Sequence, residues 1–515
     1  MRKANHMMRR YAELIVRQRL WVLLAILGVT VFLVSRVTNL KIDMDPDIWM
    51  PQSHPYVKTT KVIEQIFTGR NITLIGLVPK QGDIYQPKIL AKIQHIQDGI
   101  EVIPGAVRHN ILSIAARKVK HIRGTTEGME VRPMMDVVPQ TPQELARLKA
   151  AIADSPIYLN ALVSPDGKAA AIVADFRLSK DDPRYTPLYE SIRKVVDAER
   201  DDSVTIHLGG GPVALAWFEF HMAKMPLFFG VALLIIMGIQ YWSFRSFQGM
   251  LLPIVTALLS VLWGLGLMGL FDIHMDGMNT TTPILIMAVA AGHAIQILKR
   301  YYEEYHRLHA ERPDTGTAAL NRAAVVESLA QIGPVMLTAG LIAVITFYSL
   351  SGSEISVVRH FGIFAGSGIL SAVILEMTLI PVLRSYLRAP KRREAERERR
   401  ADVLDRSLAR LADWLSGGRA SWLLGAGLVF IALAFTGTLL LRADNSLKRY
   451  NLEGSEVRTD DTALNARFAG TSSIFFLIEG QGQDSLKEPK VLQGMSELQA
   501  FLESQPQVGK TQSLA

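Results

Sequence analysis

His293 and Glu376 are the residues of this chain whose type and setting best suit proton chemistry. His293 lies two-thirds of the way down an apolar stretch. That stretch opens with a polar run at Asn279 and Thr280 and closes in charges and tyrosines near Tyr305. Gln296 and Arg300 follow at i+3 and i+7, so a helix would place all three on one face. Glu376 is the acidic residue set well inside an apolar segment. Histidine, glutamine and glutamate within a membrane span are unfavourable unless they face protein or water, so they mark a site. Histidine titrates nearest physiological pH, which points to a proton relay. His293 lies seven residues from Arg300 and Glu376 eight from Arg384. At ~1.5 Å per residue both sit roughly 10–12 Å inside the same membrane boundary. A buried charge seeks a partner, so a His293–Glu376 pair with Gln296 as hydrogen-bonding neighbour is the economical arrangement. Two plainer readings stand beside it. His293 could be interhelical glue, and Glu376 could reach out to a basic loop residue.

Positioning such a pair needs a helical membrane bundle, and the composition supplies one. The chain has 515 residues, 49% hydrophobic and 20% charged, which suits a part-membrane, part-aqueous protein. Its net charge of +8 gathers in short stretches, which speaks of topology rather than nucleic acid. With no cysteine there is no disulfide or thiolate chemistry. No His/Asp/Glu cluster has metal-ligand spacing, and neither a Walker sequence nor a dinucleotide fingerprint occurs. No metal, cofactor or direct use of ATP is therefore expected. No convergent nucleophile–base set suggests an enzyme.

Residues 1–19 are basic, with Arg2, Lys3, Arg9, Arg10, Arg17 and Arg19. An apolar span at 20–37 follows without a small-residue cleavage site, so it reads as an uncleaved anchor with a cytoplasmic N-terminus. Residues 38–225 are too polar to cross a membrane and long enough to fold. Helices are predicted at 55–67, at 87–103 from the apolar period 89, 90, 93, 96 and 100, and at 187–198. Another starts at Thr141, with Glu144 three residues on as a capping box. Strands are predicted at 71–78 and 204–208. The apolar runs 157–163 and 169–176 flank Ser164-Pro165-Asp166-Gly167 as a hairpin. The sum is two α+β units in one extracytoplasmic loop. Gly209-Gly210-Gly211-Pro212 reads as a break before a helix at 213–225.

Spans are predicted at 226–242, 250–271, 281–298, 333–350 and 358–383, each near the ~20 residues a bilayer core demands. Loop 299–327 carries Lys299, Arg300, Arg307, Arg312 and Arg322, and the turn at 243–248 carries Arg245. Loops 272–280 and 351–357 carry no Lys or Arg, so the charges alternate with the spans. A linker at 384–420 contains the run KRREAERERR, read as a solvated face. Leu404, Leu408, Leu411 and Leu415 follow at helical spacing, as in an interfacial helix. A seventh span is predicted at 421–441.

The tail repeats the segment after the first span. ITLIGL at 72–77 matches IFFLIE at 474–479, and Pro87-Lys88-Ile89-Leu90 matches Pro489-Lys490-Val491-Leu492. Pro104 and Val107 find counterparts in Pro506 and Val508, and Ser113-Ile114-Ala115 in Ser513-Leu514-Ala515. A long internal repeat changes the reading of a whole fold. Here a half made of one span, one outer domain and five spans begins again, and its second copy is incomplete.

That layout resembles the resistance–nodulation–division (RND) superfamily. Gly333-Pro334-Val335-Met336-Leu337-Thr338 is similar to the start of that family's fifth span. Arg359-His360-Phe361-Gly362 with Gly366 and Gly368, then Leu379-Ile380-Pro381, is similar to its sixth. Arg300-Tyr301-Tyr302-Glu303-Glu304 resembles the exit of its fourth. The nearest branch is the MMPL-like exporters of hydrophobes and lipids, related to Patched-like sterol-sensing proteins. The resemblance implies an RND fold: a polytopic α-helical membrane protein with extracytoplasmic α+β porter-type domains and a truncated second repeat. It divides the chain into a cytoplasmic tail and first span (1–37), a periplasmic α+β porter domain (38–225) and a five-helix bundle (226–383). A cytoplasmic linker (384–420), a seventh span (421–441) and the start of a second periplasmic domain (442–515) complete it. Gly292, Pro334, Thr338, Gly362, Gly366 and Pro381 take the family's packing positions. Many members place an aspartate at the middle of the fourth span, where this chain has Gly292-His293. Either His293 replaces it, or this half is the less active one.

The function implied is proton-motive-force-driven efflux of a hydrophobic or lipid-like substrate at a bacterial inner membrane. Implied partners are membrane lipids and that substrate, with room for a periplasmic protein and a homo-oligomer, and no nucleic acid. A non-pumping sterol- or hopanoid-like lipid sensor and a SecD/SecF-like accessory of protein export are the alternatives.

Overall fold

The computed structural model describes residues 2–41, 49–126, 128–179, 182–389, 403–415, 420–441, 451–482 and 484–514. In chain order, α1 (Arg2–Arg17) and α2 (Arg19–Val37) come first, then α3 (Pro55–Phe67), β1 (Ile72–Pro79) and α4 (Pro87–Glu101). Next are β2 (Lys120–Thr125), β3 (Gly128–Pro133), α5 (Pro142–Ala153), β4 (Ala170–Asp175), α6 (Tyr185–Asp197), β5 (Val204–Gly210) and α7 (Gly211–Met222). Five long helices follow: α8 (Met225–Phe244), α9 (Phe247–Leu270), α10 (Thr282–Glu311), α11 (Thr317–Ser349) and α12 (Ser356–Tyr386). The chain continues with α13 (Val403–Trp414), α14 (Ala420–Thr438), α15 (Glu456–Asn465) and α16 (Pro489–Glu503). It divides into two units. One comprises Met1–Gln52 and Lys224–Asp444, the other Ser53–Ala223 and Asn445–Ala515.

The first unit is helical. Among the described residues seven helices are long and apolar enough to cross a membrane, α2, α8 to α12 and α14. This is a multi-pass helical membrane protein. α12 is the most enclosed of the seven and packs against α9, α10 and α11. Glycines make those contacts close: a side chain at Gly362 would meet the Phe347 carbonyl, and one at Gly366 the Tyr348 ring. Pro334 and Pro381 lie inside α11 and α12, as membrane helices tolerate. Thr338 Oγ1 donates to the Pro334 carbonyl at 2.9 Å, one turn above the proline. Gly292 differs from its expected packing role, since nothing lies near the place its side chain would take. The N-terminal basic stretch is a helix too, α1, which breaks at Gln18 before α2. In the linker, α13 leaves Leu408 and Leu411 exposed. The KRREAERERR run and the Leu404 side chain lie outside the described residues.

The second unit corrects the expectation of two α+β units. β1 lies between β4 and β5 in a single antiparallel sheet, with Ile75 opposite both Ile172 and Leu208. One core runs from Ile75 through the α4 stripe of Ile89, Leu90, Ile93, Ile96 and Ile100 to Ile192 and Val213. The physical reason lies in β1 itself. It is a nearly continuous apolar run with two edges to satisfy, and distant strands supply both. The hairpin at 157–176 forms only next to its turn. Gly167 N–H closes the turn onto the Ser164 carbonyl at 2.9 Å, Val163 bridges Ala170 and Ala171 N–H donates to the Leu162 carbonyl at 2.8 Å, whereas residues 157–161 coil through turns. A longer hairpin is β2–β3, from a charged stretch with little apolar pattern. The glycine run is no break either. β5 continues through Gly210, whose φ of 105° turns the chain straight into α7.

The repeat is realised in part. α16 copies α4 in length, 15 residues each, and in opening on proline. Residues 474–479, the counterpart of β1, are not a strand, and no described strand pairs with them. α15 instead covers the open face of the sheet. Leu464 sits over Gly76 and Gly209, and Phe468 joins it against Leu74 and Ala171. Asp460 fixes α15 in place by accepting from the Leu208 N–H at 2.9 Å and meeting His207 Nδ1 at 2.6 Å.

Candidate functional site

α10 and α12 bring His293 and Glu376 together. His293 Nδ1 lies 3.4 Å from Glu376 Oε2, an ion-pair distance. Glu376 is 1% exposed, and His293 keeps some exposure on its outer edge. The second carboxylate oxygen and the facing ring nitrogen have no hydrogen bond among the described residues. Glu376 therefore does not reach a basic loop residue. The site is an imidazole and a carboxyl group that face each other away from water and can share a proton. Ala290 and Ala294 are fully buried beside His293, and Ala372 beside Glu376, so small side chains let the two helices approach.

Gln296 is not part of the pair. It is exposed and makes no hydrogen bond among the described residues. Arg300, the third residue of the predicted face, binds Glu303 and Glu304 instead. The polar amide near the pair is Gln240 of α8. It is fully buried and donates to the Ala291 carbonyl at 3.4 Å, while its own carbonyl oxygen is unpaired. Its signal was available as a glutamine inside an apolar span.

Two further polar clusters bracket the pair. At the end of the bundle that carries Arg300, here the basic end, Arg384 is 2% exposed. Its guanidinium donates to Tyr301 Oη at 2.8 Å, Gln248 Oε1 at 2.9 Å and the Arg388 carbonyl at 3.0 Å. Tyr301 Oη in turn donates to Asn321 Oδ1 at 2.6 Å. Nearby, buried Glu304 accepts from Arg300, Arg307 and Gln331. These bonds tie α9, α10, α11 and α12 together. At the opposite end, Asp276 is fully buried. It caps the entry to α10, accepting from the Met278 and Asn279 N–H groups at 3.0 Å and from Asn279 Nδ2 at 2.7 Å. His360 Nδ1 of α12 lies 3.7 Å from Asp276 Oδ2. Asp276 and Arg384 escaped the sequence reading because each stands at a span boundary, where a charge reads as topology. Among the described residues no group of His, Asp and Glu could hold a metal ion.

Comparison with known proteins agrees with this architecture. A membrane protein of Methanocaldococcus jannaschii is 23% identical over 374 residues, 70% of this chain and 89% of its own length. The sequence profile of the MMPL family matches residues 88–416, from α4 through the whole five-helix bundle to the linker. By that match over more than half its length, the chain belongs to the MMPL family.

Proposed function

We propose that this chain exports a hydrophobic or lipid-like molecule as a secondary active transporter, driven by protons that His293 and Glu376 carry. Family membership supports the cargo class. The observation that carries the proton role is the buried pair at 3.4 Å on two facing helices of the bundle. With one proton between them the pair is net neutral, whichever residue holds it. A second proton, or the loss of the first, leaves a net charge in a dry interior, which is costly. Opening to water or rearranging α10 against α12 relieves that cost, and this links protonation to helix movement. The proposed setting is a bacterial inner membrane, with the N-terminus in the cytoplasm and the Ser53–Ala223 unit in the periplasm.

The test uses His293→Ala and Glu376→Gln in the reconstituted chain. Each is expected to abolish proton-coupled movement of a fluorescent lipid while leaving expression and melting temperature near normal. Unaltered transport in both variants would reduce the pair to interhelical glue. Lipid binding without proton movement in the unsubstituted protein would favour a lipid sensor.

A further inference from the structure

We propose that α1 is an interfacial helix that docks on a bilayer surface of anionic phospholipid, at the basic end of the bundle. Its position fixes its depth. Met8 sits against Gly333 of α11, and Arg9 reaches Glu327 one turn and a half earlier on α11, at 3.3 Å. Just past its other end, Arg19 donates to the Ser385 carbonyl at 3.2 Å and stacks over the Tyr386 ring at 4.0 Å. α1 therefore packs along the first half of α11 and ends at the last turn of α12. Gly333 is where the apolar part of α11 begins, and Arg19 is where α2 begins, so α1 lies at the boundary between apolar and aqueous levels.

The surface of α1 divides into three strips. Met8, Ala12, Ile15 and Val16 are buried against the bundle. Met7, Tyr11 and Leu14 recur at i, i+4 and i+7 and are exposed, Met7 by 69% and Leu14 by 51%. His6, Arg10, Glu13 and Arg17 fill the arc opposite the buried strip and are exposed. Arg9 and Glu13 pair with each other, so Arg10 and Arg17 carry the outward positive charge. A soluble helix buries one strip and solvates the rest. An exposed apolar strip beside a basic one, at boundary depth, is the pattern of a helix with one edge in acyl chains and the next among headgroups. The two arginines select negative headgroups, since basic residues next to a membrane gain from an anionic surface. The break at Gln18 lets the chain pass from this lie into the crossing helix α2.

The absence of cysteine from the sequence makes the test direct. Single cysteines replace His6, Met7, Arg10, Ala12 or Leu14 in the full chain, each carrying a spin label. The protein is placed in nanodiscs of phosphatidylcholine with phosphatidylglycerol. Labels at Met7 and Leu14 are expected to meet oxygen rather than a water-soluble nickel reagent. Those at His6 and Arg10 should show the reverse, and Ala12 should meet neither. Arg10→Gln with Arg17→Gln, both exposed and remote from the core, is expected to lower retention of phosphatidylglycerol about thirtyfold, roughly fivefold per arginine. Equal nickel access at Leu14 and His6 would overturn the docking. So would exclusion of both reagents from Met7 and Leu14, which would mean a protein surface covers them. Unchanged phosphatidylglycerol retention in the double variant would overturn the anionic preference.

Discussion

At the scale of single residues, depth counting succeeded where face counting failed. His293 and Glu376 were legible because each is an ionisable group at the same count from a basic end, and burial then forces them to meet. Gln296 was misplaced because residues three apart on a helix differ by about 60° in direction, enough to take one of them off the interface. Arg384 was illegible as a site. From sequence it is a boundary charge, and only the fold shows it stacked 4.4 Å over the Tyr301 ring. That contact yields a prediction. Tyr301→Phe keeps the ring but removes the hydroxyl that accepts from Arg384 and donates to Asn321. Asn321 Oδ1 then loses its donor in a buried place. The expected cost is about 1–3 kcal/mol of stability. A thermal melt of the detergent-solubilised protein checks it, and a melting temperature equal to that of the unsubstituted chain would refute a structural role for the hydroxyl.

At the scale of elements, local signals were read well and long-range pairing was not. The α4 stripe and the Thr141–Glu144 capping box are written in nearest-neighbour patterns, and both form. β1 was legible as a strand from its apolar run, but nothing in that run names β4 and β5 as partners, nor α15 as its cover. Two predictions belong here. Leu464→Ala removes the side chain that fills the space over Gly76 and Gly209. It should destabilise the Ser53–Ala223 unit by about 2–5 kcal/mol, the usual cost of such a core truncation. Protease nicking near Ser455, faster than in the parent, would report the loss, and unchanged resistance would show that α15 is not held by this contact. The second concerns acid. The N–H groups of Gln140 and Thr141, then the Thr141 hydroxyl, hold the Glu144 carboxyl below its ordinary value. A carboxyl group depressed by folding adds stability above its unfolded value and loses it as pH falls through the folded value. Glu144→Ala should therefore weaken the protein at neutral pH and make progressively less difference in acid. A constant difference across that range would show that the carboxylate does not act through its charge.

At the scale of the whole molecule, segments rich in Lys and Arg alternate with segments that carry none, a pattern that membrane insertion reads directly. It leads to a prediction about sides. Residue 164 is unsuited to a label, since Ser164 is buried and bonds Asp166 and the Ala169 N–H. Lys168 in the same turn is exposed, and so is Asp314 between α10 and α11. Each replaced by cysteine gives one reactive thiol, because the sequence holds no other. In intact cells an impermeant maleimide is expected to label Lys168→Cys, and Asp314→Cys only after the membrane is opened. The sign follows from loop charge. The 299–327 segment, the end of α10 and the start of α11, carries Lys299, Arg300, Arg307, Arg312 and Arg322, whereas 272–280 and 351–357 carry no Lys or Arg. Labelling of both thiols in intact cells would place the two loops on one side. An odd number of crossings between them would then be impossible, and the sidedness assumed for the proton pair and for α1 would have to be redrawn.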